Sequence, residues 1–173
     1  HNYELSVRSQ WLNNTLTVNS NVFYTDWKDQ QVSVQGPLGP LDSRTVNAAS
    51  STLFGFEIET KWRASTSLDL FVNVGYTKTR FDDFGDFTGN EFAFAPRWTG
   101  SIGGTYRFHE NFSLALSASY TDGVFDGADN NPIELSDGYL IVDGRLAYEK
   151  DNWSAYVYGR NLLGEEYISR RDA

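Results

Sequence analysis

Cysteine and methionine are both absent from the 173 residues, and the two absences exclude different things. Without cysteine there is no disulfide framework and no thiolate metal site. Without methionine there is no translation start, and His1 opens directly into an alternating segment, so the chain is expected to be a piece of a longer protein. Histidine is scarce, and His1 and His109 are too far apart in sequence to make a metal pair. No window approaches the roughly 18 consecutive apolar residues of a membrane helix. Positive charge is in deficit, with 14 Lys and Arg against 23 Asp and Glu for a net charge of −9, so the basic face that nucleic acid selects is missing. No Ser-His-Asp arrangement, phosphate-cradling glycine loop or carboxylate pair in a defined cleft emerges. The chain is therefore expected not to be an enzyme and to need no metal or cofactor.

What is present is apolar and aromatic: 40% hydrophobic residues and 16% Phe, Trp and Tyr, far more than a disordered chain carries. The period is two almost everywhere. Tyr3, Leu5, Val7, Ser9 and Trp11 alternate with Glu4, Ser6, Arg8 and Gln10. Phe54, Phe56, Ile58, Thr60 and Trp62 alternate with Gly55, Glu57, Glu59, Lys61 and Arg63. The same pattern recurs over Leu16 to Val34, Leu68 to Tyr76, Trp98 to Phe108, Phe112 to Tyr120, Leu140 to Tyr148 and Trp153 to Gly159. These segments predict about eight antiparallel strands, an all-β chain with no helix.

The connections are of two kinds in strict alternation. Asn13-Asn14, Ala64 to Ser67, His109 to Asn111 and Lys150 to Asn152 are short and rich in turn residues. Gln35 to Ser51, Asp82 to Ala95 and Thr121 to Gly138 are long, and their glycines and prolines, Pro37, Gly39 and Pro40 among them, predict irregular surface backbone. One end of the sheet is clipped and the other carries loops. Asn13-Asn14-Thr15, Asn111-Phe112-Ser113 and Asn152-Trp153-Ser154 match a glycosylation pattern, but each falls on a tight turn where Asn is favoured for its backbone geometry.

Aromatic and bulky residues bracket one face of each strand at a spacing of eight: Tyr3 and Trp11, Leu16 and Tyr24, Phe54 and Trp62, Leu68 and Tyr76, Phe112 and Tyr120. Eight residues at about 3.3 Å each, tilted about 40°, rise roughly 20 Å, close to the apolar height of a bilayer. Aromatic rings collect at such interfaces, their bodies in hydrocarbon and their polar edges toward water. Between them lie Leu, Val, Ile, Ala and Gly, while the alternate face is polar or charged, as a transmembrane β-barrel requires. Trp62, Phe108, Tyr148 and Trp153 are expected in the lower girdle, at the clipped end. Tyr24, Phe54, Tyr76 and Tyr120 are expected in the upper one. A soluble sandwich or lipocalin-like barrel also alternates, but strand length, the alternation of connections and the paired aromatics weigh against it.

Three stretches then carry a resemblance. "NSNVFYTDWKDQQV" (Asn19 to Val32), "GFEIETKWR" (Gly55 to Arg63) and "YGRNLLGEEY" (Tyr158 to Tyr167) resemble the C-terminal barrel of TonB-dependent outer-membrane receptors. In that family Asn-Leu-Leu/Phe-x-x-x-Tyr precedes the last strand, a motif occupied here by Asn161, Leu162, Leu163 and Tyr167. The resemblance implies a segment of a 22-stranded barrel, with residues 1–173 forming one partial domain that lacks the plug and the closing strand. It places the chain in the bacterial outer membrane, among its lipids. It implies energised uptake of a scarce nutrient such as a ferric siderophore, driven by the TonB complex through the missing plug. A passive pore or a small autonomous barrel is the alternative, since eight strands can close on themselves.

Arg80, Arg97 and Arg160, beside aromatics near the extracellular mouth, are the candidate ligand contacts, or else ordinary partners for loop acids. Those acids are Asp122, Asp126, Asp129, Glu134 and Asp137 in one loop and Asp82, Asp83, Asp86 and Glu91 in another. They suit calcium as hard oxygen ligands, yet the EF-hand spacing is absent and a solvated, self-repelling surface is the expected reading. They also fit poorly with direct capture of an anionic ligand.

Overall fold

The computed structural model describes residues 1–36 and 42–167. Eight long strands form a single antiparallel sheet: β1 (Asn2–Trp11), β2 (Leu16–Gln35), β3 (Ser43–Arg63), β4 (Leu68–Asp83), β5 (Trp98–His109) and β6 (Phe112–Thr121), then β9 (Tyr139–Lys150) and β10 (Trp153–Gly159). Between β6 and β9 a short hairpin of β7 (Val124–Phe125) and β8 (Leu135–Ser136) stands apart as a two-stranded sheet. Each long strand pairs with its neighbour in sequence, so the sheet is an open meander with β1 and β10 at its edges. No helix among the described residues is long and apolar enough to cross a membrane; the helical pieces are two three-residue 3-10 turns, Gly85–Phe87 and Pro132–Glu134. Leu12, Asn13 and Asn14 all take left-handed φ values of 52° to 66°, and Asp151 takes 51°. Asn and Asp tolerate that region because their short polar side chains bond locally, which is why tight turns select them.

Register sorts the side chains onto two faces. Across the middle of the sheet Val18 pairs Thr60, Thr60 pairs Val72, Val72 pairs Ile102, Ile102 pairs Ala118 and Ala118 pairs Val142. The row one residue over reads Asn19 with Glu59, Glu59 with Asn73, Asn73 with Ser101 and Ser101 with Ser119. The apolar face is bare: Leu5 is 72% exposed, Ile102 58% and Leu116 50%. A water-soluble barrel would have folded these residues inward, so the open apolar face is the signature of a wall against lipid.

Glycines let large side chains lie flat on the wall. Phe23 is directly opposite Gly55, and a Cβ there would meet the Phe23 ring and the Tyr76 carbonyl oxygen at 2.4 Å. Phe71 is opposite Gly103 in the same way, with its ring 2.7 Å from the site of a Cβ.

The upper part of the sheet departs from the sequence expectation. The long link predicted over Gln35 to Ser51 is mostly strand. β2 runs to Gln35 and β3 starts at Ser43, giving strands of 20 and 21 residues, about twice what a tilted membrane crossing uses. Pro37, Gly39 and Pro40 lie outside the described residues. This tall hairpin, the top of β4 and the two other long connections pack together. Phe81 is 1% exposed beside Ala48 and Ala128, with Val32, Val34, Phe84, Phe87 and Phe92 around them. A register shift opposite Ser50 and Ser51 adds one residue to β4 just above Phe81.

At the other edge the chain does not leave the sheet where β10 ends. Asn161 takes φ 49°, and the Leu162 N–H then donates to the Val142 carbonyl at 2.8 Å. Tyr167 stacks on Tyr139 at 4.2 Å, near the top of β9. Leu162 drops its side chain into a notch floored by Gly144 and Gly159, where a Cβ would stand 3.2 and 2.5 Å from it. Asn161 closes the bend with its side chain, accepting from Glu165 N–H at 2.8 Å and donating to the Glu165 carbonyl at 2.9 Å.

Candidate functional site

The inner face at mid-height is a polar wall. Asn73 donates to Ser101 Oγ at 3.0 Å, Ser6 donates to Glu4 at 2.8 Å, and the Asn21 amide reaches Glu57 at 3.3 Å. Lower down Asp69 joins Arg107 at 2.6 Å and Arg63 at 3.6 Å. These residues come from β1 to β5, and only alternation in strands brings them to one surface.

Above this wall the two connections 84–97 and 122–138 are joined into one body by Asn130. Its Oδ1 accepts from Glu91 N–H at 2.7 Å and its Nδ2 donates to the Glu91 carbonyl at 2.9 Å, so the side chain pairs Glu91 as a strand would. Asn90 donates to the Ala128 carbonyl and Phe94 N–H to the Phe125 carbonyl, each at 2.9 Å. Asn130 itself adopts φ 51°, a conformation its side chain type accepts. The Glu91 carboxylate in turn grips Arg97 with two bonds to Nε, at 2.8 and 3.0 Å, and a third to Nη2. This charge-assisted fork raises the Arg97 pKa, chiefly through the hydrogen bond and then through the charge of Glu91.

Of the three arginines expected at the mouth, the structure places one there. Arg97 follows the loop inward of Trp98, yet its guanidinium is engaged by Glu91. Arg80 pairs Thr52 on the face that carries Tyr76 and Phe54, so it points outside the wall, where it neighbours Asp82 at 3.7 Å. Arg160 follows Gly159, whose partner Gly144 lies halfway along β9, so it stands at mid-height rather than at the rim. The physical reason for the last two is parity and register, which a list of basic residues near loops does not include.

Of the expected girdle residues, Phe108, Tyr148 and Trp153 lie at or near strand ends, whereas Tyr24, Phe54 and Tyr76 lie within strands that continue upward. At the lower end Phe108, Phe112, Tyr148 and Trp153 form a chain of rings with centroids 5.8, 4.7 and 5.1 Å apart, and Trp62 pairs Leu70 and Leu16 along the same edge. At the upper end Tyr76 clusters with Phe56 and Trp98, Tyr24 meets Tyr3, Phe54 is exposed and Tyr120 donates its hydroxyl to Asp122 at 3.1 Å. Phe56, Trp98 and Phe112 belong to these clusters although the eight-residue spacing did not select all of them. The loop acids do not converge: among the described residues no three His, Asp or Glu side chains come together as metal ligands. Asn130, Arg145, Tyr156 and Tyr158 were not selected by the sequence reading, whereas Arg160 was, and it joins Arg145, Tyr156 and Tyr158 in a ladder on the inner face.

Comparison with known proteins agrees with this architecture. A family model described as "TonB dependent receptor-like, beta-barrel" matches residues 1–162. The ferric-pyoverdine M114 receptor PbuA of Pseudomonas sp. (strain M114) is 25% identical over 175 residues, covering 96% of this chain and 21% of its own length. The ferric yersiniabactin uptake receptor FyuA from Yersinia pestis superposes with a TM-score of 0.79 at 24% identity, over 98% of this chain and 25% of that one. The ferric-catecholate import receptor Fiu from E. coli K12 gives 0.75 at 18% identity, over 98% and 24%. The chain thus spans about a fifth to a quarter of the proteins it matches. With a two-faced wall, ringed ends and a family match over nearly its whole length, this chain belongs to the TonB-dependent receptor β-barrel family.

Proposed function

We propose that residues 1–173 are a partial barrel domain, part of the wall of a receptor in the bacterial outer membrane that takes up a scarce, bulky nutrient. The substrate class is a ferric siderophore or similar iron complex. The TonB complex supplies the energy, acting through a plug carried by another part of the same protein, and lipids of the outer membrane contact the apolar face. The observation that supports this reading is the segregation of the sheet: bare apolar residues between aromatic rings on one face, hydrogen-bonded polar residues on the other. Support for the substrate class comes from PbuA, FyuA and Fiu, each a receptor named for a ferric complex. The family is one of receptors, so catalysis is not part of the proposal.

The test is uptake of radiolabelled iron, presented as a panel of ferric chelates, by cells with and without the intact gene under iron limitation. Loss of uptake of one chelate on deletion, and equal loss when TonB is removed, is the expected result. Uptake that persists without TonB would leave a passive pore and sink the energised reading.

A further inference from the structure

Arg80 and Arg97, toward the mouth, are engaged by Asp82 and Glu91, whereas two arginines at mid-height stack on rings instead. On the inner face of β9 and β10 the guanidinium carbon of Arg145 lies 4.4 Å from the centroid of the Tyr156 ring, and that of Arg160 lies 5.9 Å from the Tyr158 ring. Arg145 pairs Tyr158 directly across the ladder. The four side chains therefore alternate, ring and cation, along one strip. Among the described residues neither guanidinium has a carboxylate within 4.0 Å, in contrast to Arg44, Arg63, Arg80, Arg97 and Arg107, each of which does. Tyr156 and Tyr158 are exposed on this face of the wall. Asp143, the acid nearest in register, has an oxygen accepting from Asn161 N–H at 2.9 Å.

The physical case rests on what a ring does to a cation. Stacking orients the planar guanidinium and lowers the entropy lost when it binds, while leaving its N–H donors free at the edge. A guanidinium without a carboxylate keeps its affinity for a planar, bidentate oxyanion. Two of them on one wall select a ligand with at least two negative oxygens. We propose that Arg145 and Arg160, braced by Tyr156 and Tyr158, form a binding strip for a carboxylate-bearing small anion within the lumen. This deepens the receptor reading and rests on its assignment of the polar face to the lumen. It also answers the electrostatic difficulty of the acidic loops, because the free cations stand below them rather than among them.

The test is calorimetric titration of the full-length receptor in detergent with citrate as the probe and its uncharged triethyl ester as the control. The expected result is citrate binding that weakens by at least about tenfold in Arg145→Gln/Arg160→Gln. It should also weaken when ionic strength rises from about 0.01 to about 0.15 M, and the ester should give no heat. Should the double variant fail to fold, Arg145→Lys and Arg160→Lys keep the charge and lose the fork, and each should still bind citrate with several-fold reduced affinity. Tyr156→Leu, which removes the brace and no charge, should fall between. Wild-type affinity in the double variant, equal binding of the ester, or no citrate binding by the wild type would each overturn the strip. Iron uptake by the same variants separates the two readings. TonB-dependent uptake with unaltered citrate affinity removes the strip and leaves the receptor, whereas wild-type uptake independent of TonB removes the energised receptor and leaves the strip.

Discussion

Val72 and Asn73 are consecutive residues with opposite surroundings: Val72 pairs Thr60 and Ile102, Asn73 pairs Glu59 and Ser101. In the intact receptor, Val72→Arg is expected to lose about 2 to 4 kcal/mol of unfolding free energy in lipid vesicles. Asn73→Arg should lose well under half of that, because it points to water and finds Glu59 opposite. A soluble barrel gives the same order, so the deciding measurement is a nitroxide at residue 72, quenched by lipid-dissolved oxygen and shielded from an aqueous nickel chelate. Shielding from both would mean a packed interior. The glycines supply a second contrast. Gly55→Val must push against the Tyr76 carbonyl at 2.4 Å and is expected to cost about 1 to 3 kcal/mol. Gly100→Ala, whose nearest atom is 3.5 Å away, should stay within about 0.5 kcal/mol. Equal effects in urea unfolding would show that the wall is not thinned where the large rings lie.

Elements differ in how far their sequence announces them. The eight strands are legible because alternation and membrane burial demand the same residues in the same places, as in Leu68 to Tyr76. The upper half of β3 is not, although its partner β2 was expected as far as Val34. Arg44, Thr45, Asn47, Ser50 and Ser51 are polar, and Val46 and Ala48 among them are too short a run to announce a strand. The packed cluster on Phe81 was equally hidden, because Ala48 and Ala128 reach it from distant segments. For the candidate site, Arg97 was legible as a mouth residue, but its engagement by Glu91 and the outward parity of Arg80 depend on register. Asn130 is the element-scale test. Asn130→Ala removes both bonds to Glu91 and is expected to lower the local opening free energy by about 1 to 3 kcal/mol. In hydrogen exchange the amides of Glu91 and Phe94 should then lose protection together with 122–138, while β4 and β5 keep theirs. Faster exchange confined to 122–138 would show that the two connections move separately.

For the whole molecule, an open sheet with β1 and β10 as edges has unpaired backbone groups that lipid cannot satisfy. Residues 1–173 expressed alone are expected to aggregate in plain buffer and to disperse in detergent. A monodisperse species with a cooperative melt and no detergent, seen by sedimentation, would count against the membrane reading. The same ladder poses a problem of addressing. A wall with a strict period of two looks alike after any slip of two residues, since apolar still meets apolar and polar meets polar. Turns set the register within each hairpin, but a neighbouring strand that slides has no such ruler. Leu162 in the notch of Gly144 and Gly159 supplies one, because two residues to either side it would meet the side chains of Val142 or Leu146, or of Val157, instead of bare backbone. The bend at Asn161 is thus a zero mark on an otherwise repeating scale.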